Sequence, residues 1–165
     1  MLRRLLLIIP LAAPAAAAAQ GDPATPYAIY AAAIAAKADN AIEFLTAETD
    51  SVASEIAVGM LTTGASQMRP LINEFAMTQT PAELAVAHRD LVAALNVAAA
   101  TALHAATLLA TAMDTTVDDD QRTIAAMTAQ KELQDLKTAI TGYRQARART
   151  ALVLQRHGVA LPAGP

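Results

Sequence analysis

The sequence predicts an all-α protein, an antiparallel up-down four-helix bundle that follows a cleaved signal peptide. Apolar residues recur at gaps of three and four in four separate segments, which is the period of an amphipathic helix. Glycine and proline lie mainly at the boundaries of these segments, and no long stretch alternates with the period of a half-buried strand. Short connections favour antiparallel neighbours, and heptad-like spacing favours left-handed packing.

The composition of the 165-residue chain excludes several classes of protein. Without cysteine there is no disulfide framework, thiolate zinc site, iron–sulfur cluster or c-type haem attachment. A formal charge of −3 and an aromatic content of 3% offer no basic field or stacking platform for nucleic acid. Alanine supplies 43 residues, so the high hydrophobic content predicts closely packed helices around a thin core.

Residues 1–19 have the pattern of a secretory signal peptide. Arg3 and Arg4 precede an apolar run, which ends in small residues before Gln20. The run is shorter than the roughly 20 residues that a membrane-spanning helix needs. We therefore expect cleavage between Ala19 and Gln20 and a periplasmic or secreted mature protein. An uncleaved N-terminal anchor is the alternative.

Local signals divide the rest of the chain. A linker, residues 20–26, precedes a helical domain, residues 27–158, and a C-terminal tail, residues 159–165, follows it. Thr25 is expected to cap helix one, with Pro26 at the first helical position, where its missing N–H costs nothing.

Helix one is predicted to end near Glu48. Its apolar stripe consists of Tyr27, Tyr30, Ile34, Ala38, Ala41 and Leu45. The charged and amide side chains expected to fall mostly off this stripe are Lys37, Asp39, Asn40 and Glu43.

Helix two is predicted over residues 51–77, with residues 49–51 as its capping signal. We expect a kink or break between Gly64 and Pro70, because proline clashes with the preceding turn of a helix. The apolar rhythm also extends through Thr49, so a continuous first and second helix is the alternative.

Helix three is predicted to begin with a capping box and to end near Met113. Thr80 would be its N-cap, Pro81 its first helical residue and Glu83 the reciprocal partner. Two rows of residues spaced by seven predict its buried face: Leu84, Leu91, Ala98, Ala105 and Ala112, and beside them His88, Leu95, Ala102 and Leu109.

Helix four is predicted to begin with the three acids at residues 118–120, whose charge suits a helix N-terminus. It is expected to end at residues 156–158. Gly158 would adopt the left-handed conformation, with Val159 placed against Leu154 as in a Schellman motif.

His88 is the candidate site residue, and its predicted role is that of a metal ligand. It lies on the apolar face of helix three, where a buried imidazole needs a metal, a carboxylate or a carbonyl as partner. The simpler interpretation is a single histidine bonded to a loop group across the turn at Pro81. The simpler interpretation is favoured, because no second ligand has matching spacing.

Other polar residues have structural interpretations. His104 is expected on a solvated face of helix three, and His157 suits the C-terminus of helix four. The arginines expected on a solvated or salt-bridged face, with an acidic partner as the alternative, are Arg144, Arg147, Arg149 and Arg156. The methionines expected to fill gaps in the core are Met60, Met68, Met77, Met113 and Met127.

No common catalytic, di-metal or phosphate-binding motif occurs in the sequence. We therefore expect a non-enzymatic, exported bundle without a cofactor, acting as a binding or structural module of the bacterial cell envelope. A protein partner or self-association is expected, with residues 98–106 as a candidate contact surface. No nucleic acid or membrane partner is expected for the mature chain, whose apolar runs are interrupted by polar residues. The alternative is a periplasmic metal- or small-ligand-binding bundle centred on His88.

Overall fold

A computed structural model describes residues 24–48 and 54–161. Within these residues the chain forms four α-helices and no strand, which confirms the all-α prediction. The helices are α1 (Ala24–Glu48), α2 (Glu55–Ala76), α3 (Ala85–Met113) and α4 (Asp119–Gln155), and a single 3₁₀ turn (Ala82–Leu84) precedes α3. The predicted signal peptide and most of the linker lie outside the described residues, as do residues 162–165 of the tail.

Helices that are consecutive in the chain pack against one another. The most extensive contact joins α3 and α4, followed by those of α2 with α3 and of α1 with α2. α1 and α4 approach closely along a much smaller part of their lengths. Long polar side chains of α4 bond to α1.

The buried face of α3 agrees with the predicted rows. Every residue of the two rows is buried except Ala112, which is half-buried. Among the described residues, half of the buried apolar side chains are alanines, as expected for closely packed helices. In residues 98–106 the buried alanines serve packing within the chain: Ala98, Ala99, Ala102, Ala105 and Ala106.

The predicted cap of α1 is wrong. α1 begins at Ala24, so Thr25 and Pro26 both lie in its first turn. Pro26 is tolerated there because the first N–H groups of a helix have no partner within the helix.

The N-terminus of α2 differs from both sequence expectations. Ser54 is its N-cap, and the Ser54 hydroxyl accepts a hydrogen bond from the Ala57 N–H at 3.1 Å. The predicted cap at residues 49–51 is therefore wrong. A continuous first and second helix is also wrong, because Ser54 has extended backbone angles (φ −152°, ψ 155°).

α2 continues through Pro70 to Ala76, so the predicted break does not occur, and a kink in this stretch stays a prediction. Pro70 removes the bond to the carbonyl of Ser66. Both residues lie on the exposed side of α2, where water can bond the freed carbonyl.

Gly64 allows α1 and α2 to approach closely. A Cβ atom at this position would lie 2.7 Å from Leu45 Cδ2 and 3.2 Å from the carbonyl oxygen of Ala41. At Gly59, one turn earlier in α2, a Cβ would meet nothing within 4 Å.

Alanine is therefore expected to act differently at these two glycines. Gly59→Ala should raise the free energy of unfolding by about 0.5–1 kcal/mol, since alanine is the better helix former. Gly64→Ala should be less stable than Gly59→Ala by about 1–3 kcal/mol, because its methyl group overpacks the contact with α1. Thermal unfolding followed by circular dichroism measures both variants, and equal stabilisation would contradict close packing at Gly64.

The predicted capping box of helix three is wrong. Pro81 has non-helical backbone angles (φ −55°, ψ 144°), and the 3₁₀ turn that follows is closed by the Leu84 N–H bonding the Pro81 carbonyl at 3.0 Å. The Thr80 hydroxyl donates to the Thr78 carbonyl at 3.1 Å instead of capping the helix. The predicted end of the helix at Met113 is confirmed.

The two ends of α4 agree with the local signals. Asp118 is the N-cap, and its carboxylate accepts the backbone N–H two residues on. Gly158 has a φ of 74°, and the Val159 N–H bonds the Leu154 carbonyl at 3.2 Å. The predicted Schellman motif is therefore confirmed.

The segment Ala82–Met113 is long and apolar enough to cross a membrane, judged by length and composition. Core helices of soluble proteins share this property, and 39% of its most apolar window is buried in the bundle. Asn96 and His104 interrupt this segment. The expectation that the mature chain has no membrane partner stays a prediction.

Candidate functional site

His88 forms a buried hydrogen bond with a tyrosine of another helix. The side chain is 8% exposed, and its Nδ1 atom lies 2.7 Å from the Tyr27 hydroxyl of α1. Phe75 of α2 completes the cluster, with its ring centroid 4.4 Å from that of His88 and 6.2 Å from that of Tyr27. Side chains from α1, α2 and α3 thus converge at one point.

Burial determines the protonation of this pair. Desolvation lowers the pKa of His88 from its ordinary value of 6.5. Desolvation also raises the pKa of Tyr27 to about 12. At neutral pH the imidazole is therefore uncharged and the phenol is protonated. We assign the Tyr27 hydroxyl as donor to Nδ1, which leaves the ring proton on Nε2.

The partner of His88 is not the one that the favoured interpretation expected. The expected bond from His88 to a loop group across the turn at Pro81 is wrong, because its partner is the Tyr27 phenol of α1. In residues 24–48 and 54–161, no three His, Cys, Asp or Glu side chains form a group that could hold a metal ion. The role of His88 as a metal ligand stays a prediction.

An open cleft of about 700 Å³ lies beside Tyr27. Its walls are the first turns of α1, with Pro26, Tyr27 and Tyr30, and the connection formed by residues 78–83. This volume is within the range that holds small organic ligands. The rings of Tyr30 and Phe75 are 6.2 Å apart, so the aromatic wall continues into the buried cluster.

The charged side chain that lines this cleft is an acid. Glu83 supplies a carboxylate to its lining, and the described residues of the lining include no lysine or arginine. Burial raises the pKa of Tyr30, and the nearby Glu74 adds to this shift. Hydroxyl and amide groups of Thr78, Gln79 and Thr80 provide hydrogen-bonding partners.

His88 also borders a second, smaller cleft of about 350 Å³ between α2 and α3, with Ala76, Val92 and Asn96 in its lining. His88 therefore reaches one cleft directly and the larger one through the Tyr27 hydroxyl. The hydrogen bond between Tyr27 and His88 therefore connects a lining residue of one cleft to a lining residue of the other.

A second buried polar cluster joins α1 to α4. Asp39 is 6% exposed, Arg147 is 8% exposed and Tyr143 is fully buried. Arg147 Nε lies 2.8 Å from both carboxylate oxygens of Asp39, and Nη2 lies 2.6 Å from Oδ2. The Tyr143 hydroxyl donates to Asp39 Oδ1 at 2.7 Å.

This cluster corrects two sequence expectations. Asp39 does not fall off the buried face of α1, and Arg147 of α4 is salt-bridged, as expected, but buried and not at the surface. Both lie between α1 and α4, where each is the other's partner. Burial, and then the Asp39 carboxylate, raise the pKa of Tyr143, so its phenol remains a donor. The other arginines of this region are exposed, as predicted: Arg144, Arg149 and Arg156.

The remaining candidate residues have structural surroundings. The side chain of His104 is 57% exposed, which fits the expected solvated face, and its Nδ1 lies 3.2 Å from Glu132 Oε1 on α4. His157 lies just past the end of α4. The expectation of core methionines is confirmed for Met68, which is fully buried, and wrong for Met77 and Met127, which are 87% and 70% exposed.

Comparison with protein-family models finds no match, and comparisons with the curated proteins and with the solved structures find none either.

The stability of the protein is expected to fall as pH is lowered through 6.5. His88 has a lower pKa in the folded chain than its ordinary value of 6.5, so the unfolded chain binds more protons near this pH. The contribution that neutral His88 makes to the free energy of unfolding is present above pH 6.5 and is lost as His88 becomes protonated. Urea unfolding between pH 5 and pH 8 measures this slope.

Two histidine variants separate this effect from other titrations. His88→Gln should flatten the pH dependence, whereas His104→Gln, on an exposed side chain, should retain the slope. An unchanged slope in His88→Gln would contradict a buried, neutral His88.

Proposed function

We propose that the protein is an exported, non-enzymatic four-helix bundle of the bacterial cell envelope that binds a small organic cation in the cleft beside Tyr27 and Tyr30. The observation that carries this proposal is the cleft of about 700 Å³ whose described lining has an aromatic wall, a carboxylate and no basic side chain. Aromatic faces attract cations through the ring quadrupole, and Glu83 adds a negative charge. An anionic ligand would find no partner of opposite charge in this lining.

The buried pair of Tyr27 and His88 prepares the cleft for binding. The phenol ring is held between its hydrogen bond to His88 and the ring of Phe75. A wall that is already ordered loses little conformational entropy when a ligand binds. The imidazole is uncharged and occupied by the phenol, which favours a positioning role for His88 over acid–base catalysis.

The proposal includes the arrangement of the four helices as an antiparallel up-down bundle. Two contacts support opposite directions for α3 and α4. The Thr150 hydroxyl near the end of α4 lies 3.5 Å from the Ala87 carbonyl near the start of α3. Further along α3, His104 meets Glu132 in the first half of α4. The packing of consecutive helices on one another agrees with this connectivity.

Binding of benzyltrimethylammonium to the purified protein, measured by calorimetry, tests the ligand class. Benzoate, which has the same ring and the opposite charge, is the matched ligand control. Glu83→Gln is expected to weaken binding of the cation by about tenfold, which corresponds to one lost charge interaction. Glu55→Gln, at an exposed acid of α2, should have no effect. Equal binding of benzoate, or an unchanged affinity in Glu83→Gln, would contradict the proposal.

Metal binding centred on His88 is the rival proposal. It requires the imidazole to exchange Tyr27 for a metal ion. A melting shift with Zn²⁺, Cu²⁺ or Ni²⁺ that His88→Ala abolishes would favour it over the cation site.

Export is tested on protein purified from its own cell envelope. The expected intact mass is that of a chain beginning at Gln20. Native mass spectrometry of the same sample reports any retained metal or ligand. A chain that still begins at Met1 would contradict cleavage of residues 1–19.

A further inference from the structure

One exposed face of α4 carries an acid and a base at equal distances from a glycine; Lys131 lies on the same side of the helix, and Asp90 of α3 lies beside this face. Asp135, Gly142 and Arg149 follow one another at intervals of seven residues, so they lie on the same side of the helix. Asp135 and Arg149 are each about 10 Å from the level of Gly142 along the helix axis. Both charged side chains are exposed, and neither forms an ion pair with any described residue.

The same face borders a groove of about 590 Å³ between α3 and α4. Small side chains form much of its lining, including Ala93, Ala94 and Ala139. Val97, which is 54% exposed, contributes apolar surface to the same groove. A Cβ atom at Gly142 would meet nothing within 4 Å, so a neighbouring helix can approach the backbone closely at this position.

We propose that this groove and the adjoining face of α4 are the surface through which two copies of the chain associate. The two α4 helices would cross in opposite directions, with the twofold axis at Gly142. Asp135 of one copy would then face Arg149 of the other, and the symmetry repeats the same pair on the other side of the axis.

The complementary charges of Asp135 and Arg149 favour a second copy of the chain as the partner at this surface. An acid and a base at equal distances from a glycine satisfy each other when the helix meets itself in the antiparallel direction. An unrelated partner would have no need of this symmetry. With the axis at Gly142, the two helices can overlap over residues 129–155, about 40 Å, and the walls of the two grooves would add to the roughly 800 Å² per copy that stable interfaces bury.

Charge-exchange variants of the full chain test this proposal by sedimentation equilibrium. Asp135→Arg and Arg149→Asp each place like charges opposite one another at two positions, so each variant should dimerise about 10- to 100-fold more weakly. An equimolar mixture of the two should recover the dimer as a heterodimer, because every pair is again of opposite charge. The double variant, Asp135→Arg with Arg149→Asp, should recover the homodimer.

Two further variants test the geometry. Arg144→Asp makes the same charge change on another side of α4 and should leave the dimer intact. Gly142→Trp should abolish it by preventing close approach, while circular dichroism shows that the helices remain folded. A strictly monomeric unaltered protein, a dimer insensitive to both single exchanges, or a mixture that fails to recover the dimer would each overturn the proposal.

Discussion

Replacement of Asp39 by alanine is expected to lower the free energy of unfolding by about 3–5 kcal/mol. The substitution removes the carboxylate that pairs with the buried Arg147, and it also removes the nearer acceptor of the Tyr143 hydroxyl, whose other acceptor, the Ala35 carbonyl, lies at 3.4 Å. Removing one partner costs more than the net value of the pair, because the remaining charge stays desolvated. Urea unfolding followed by circular dichroism measures the loss.

Two comparison variants separate the effect of burying Asp39 from the effect of removing a negative charge from α1. Glu43→Ala, at an exposed acid of the same helix, should change stability by less than about 0.5 kcal/mol. Replacing both partners with apolar residues, Asp39→Leu with Arg147→Met, should recover most of the stability that Asp39→Ala loses. If Asp39→Ala and Glu43→Ala are equally mild, Asp39 is not buried against Arg147.

Phe75→Ala is expected to cost about 3–5 kcal/mol, since it removes a fully buried ring and leaves a cavity. The ring contacts Tyr27, Tyr30 and His88, so the cavity would open directly beneath the proposed binding cleft. The same variant should therefore weaken binding of benzyltrimethylammonium even where it remains folded.

The second phenylalanine of the chain provides the control. Phe44 is 38% exposed on α1, so Phe44→Ala should cost less than about half as much as Phe75→Ala. Comparable losses at the two positions would contradict the buried aromatic cluster. Unchanged cation binding in folded Phe75→Ala would separate the cluster from the cleft.

Features set by local chemistry could be predicted from the sequence. The buried rows of α3 follow from heptad spacing, and the end of α4 follows from one glycine that adopts a positive φ. The N-terminal caps are harder to predict from the sequence, because several candidate residues lie close together. Thr49, Ser51 and Ser54 all have suitable hydroxyl groups, and the choice of Ser54 is not encoded by residue type.

The polar clusters required knowledge of the folded chain. Periodicity predicted that His88 is buried, but its partner Tyr27 lies 61 residues away. Asp39 and Arg147 are separated by 108 residues, and each alone resembles an ordinary surface charge beside an apolar stripe. A signal was nevertheless available, since Asp39 follows Ala38 of the stripe and therefore lies at its edge.

The polar links of α1 have a consequence for its register. Much of the buried face of α1 is alanine, and such a smooth surface would lose little contact if the helix slid by one turn, about 5.4 Å. Tyr27 and Asp39 lie about 18 Å apart along α1 and bond to α3 and α4, respectively. A slide of one turn would break both directional bonds at once. We infer that these two bonds, together with the close fit of Leu45 against Gly64, select one longitudinal position of α1 that its alanines alone would not fix.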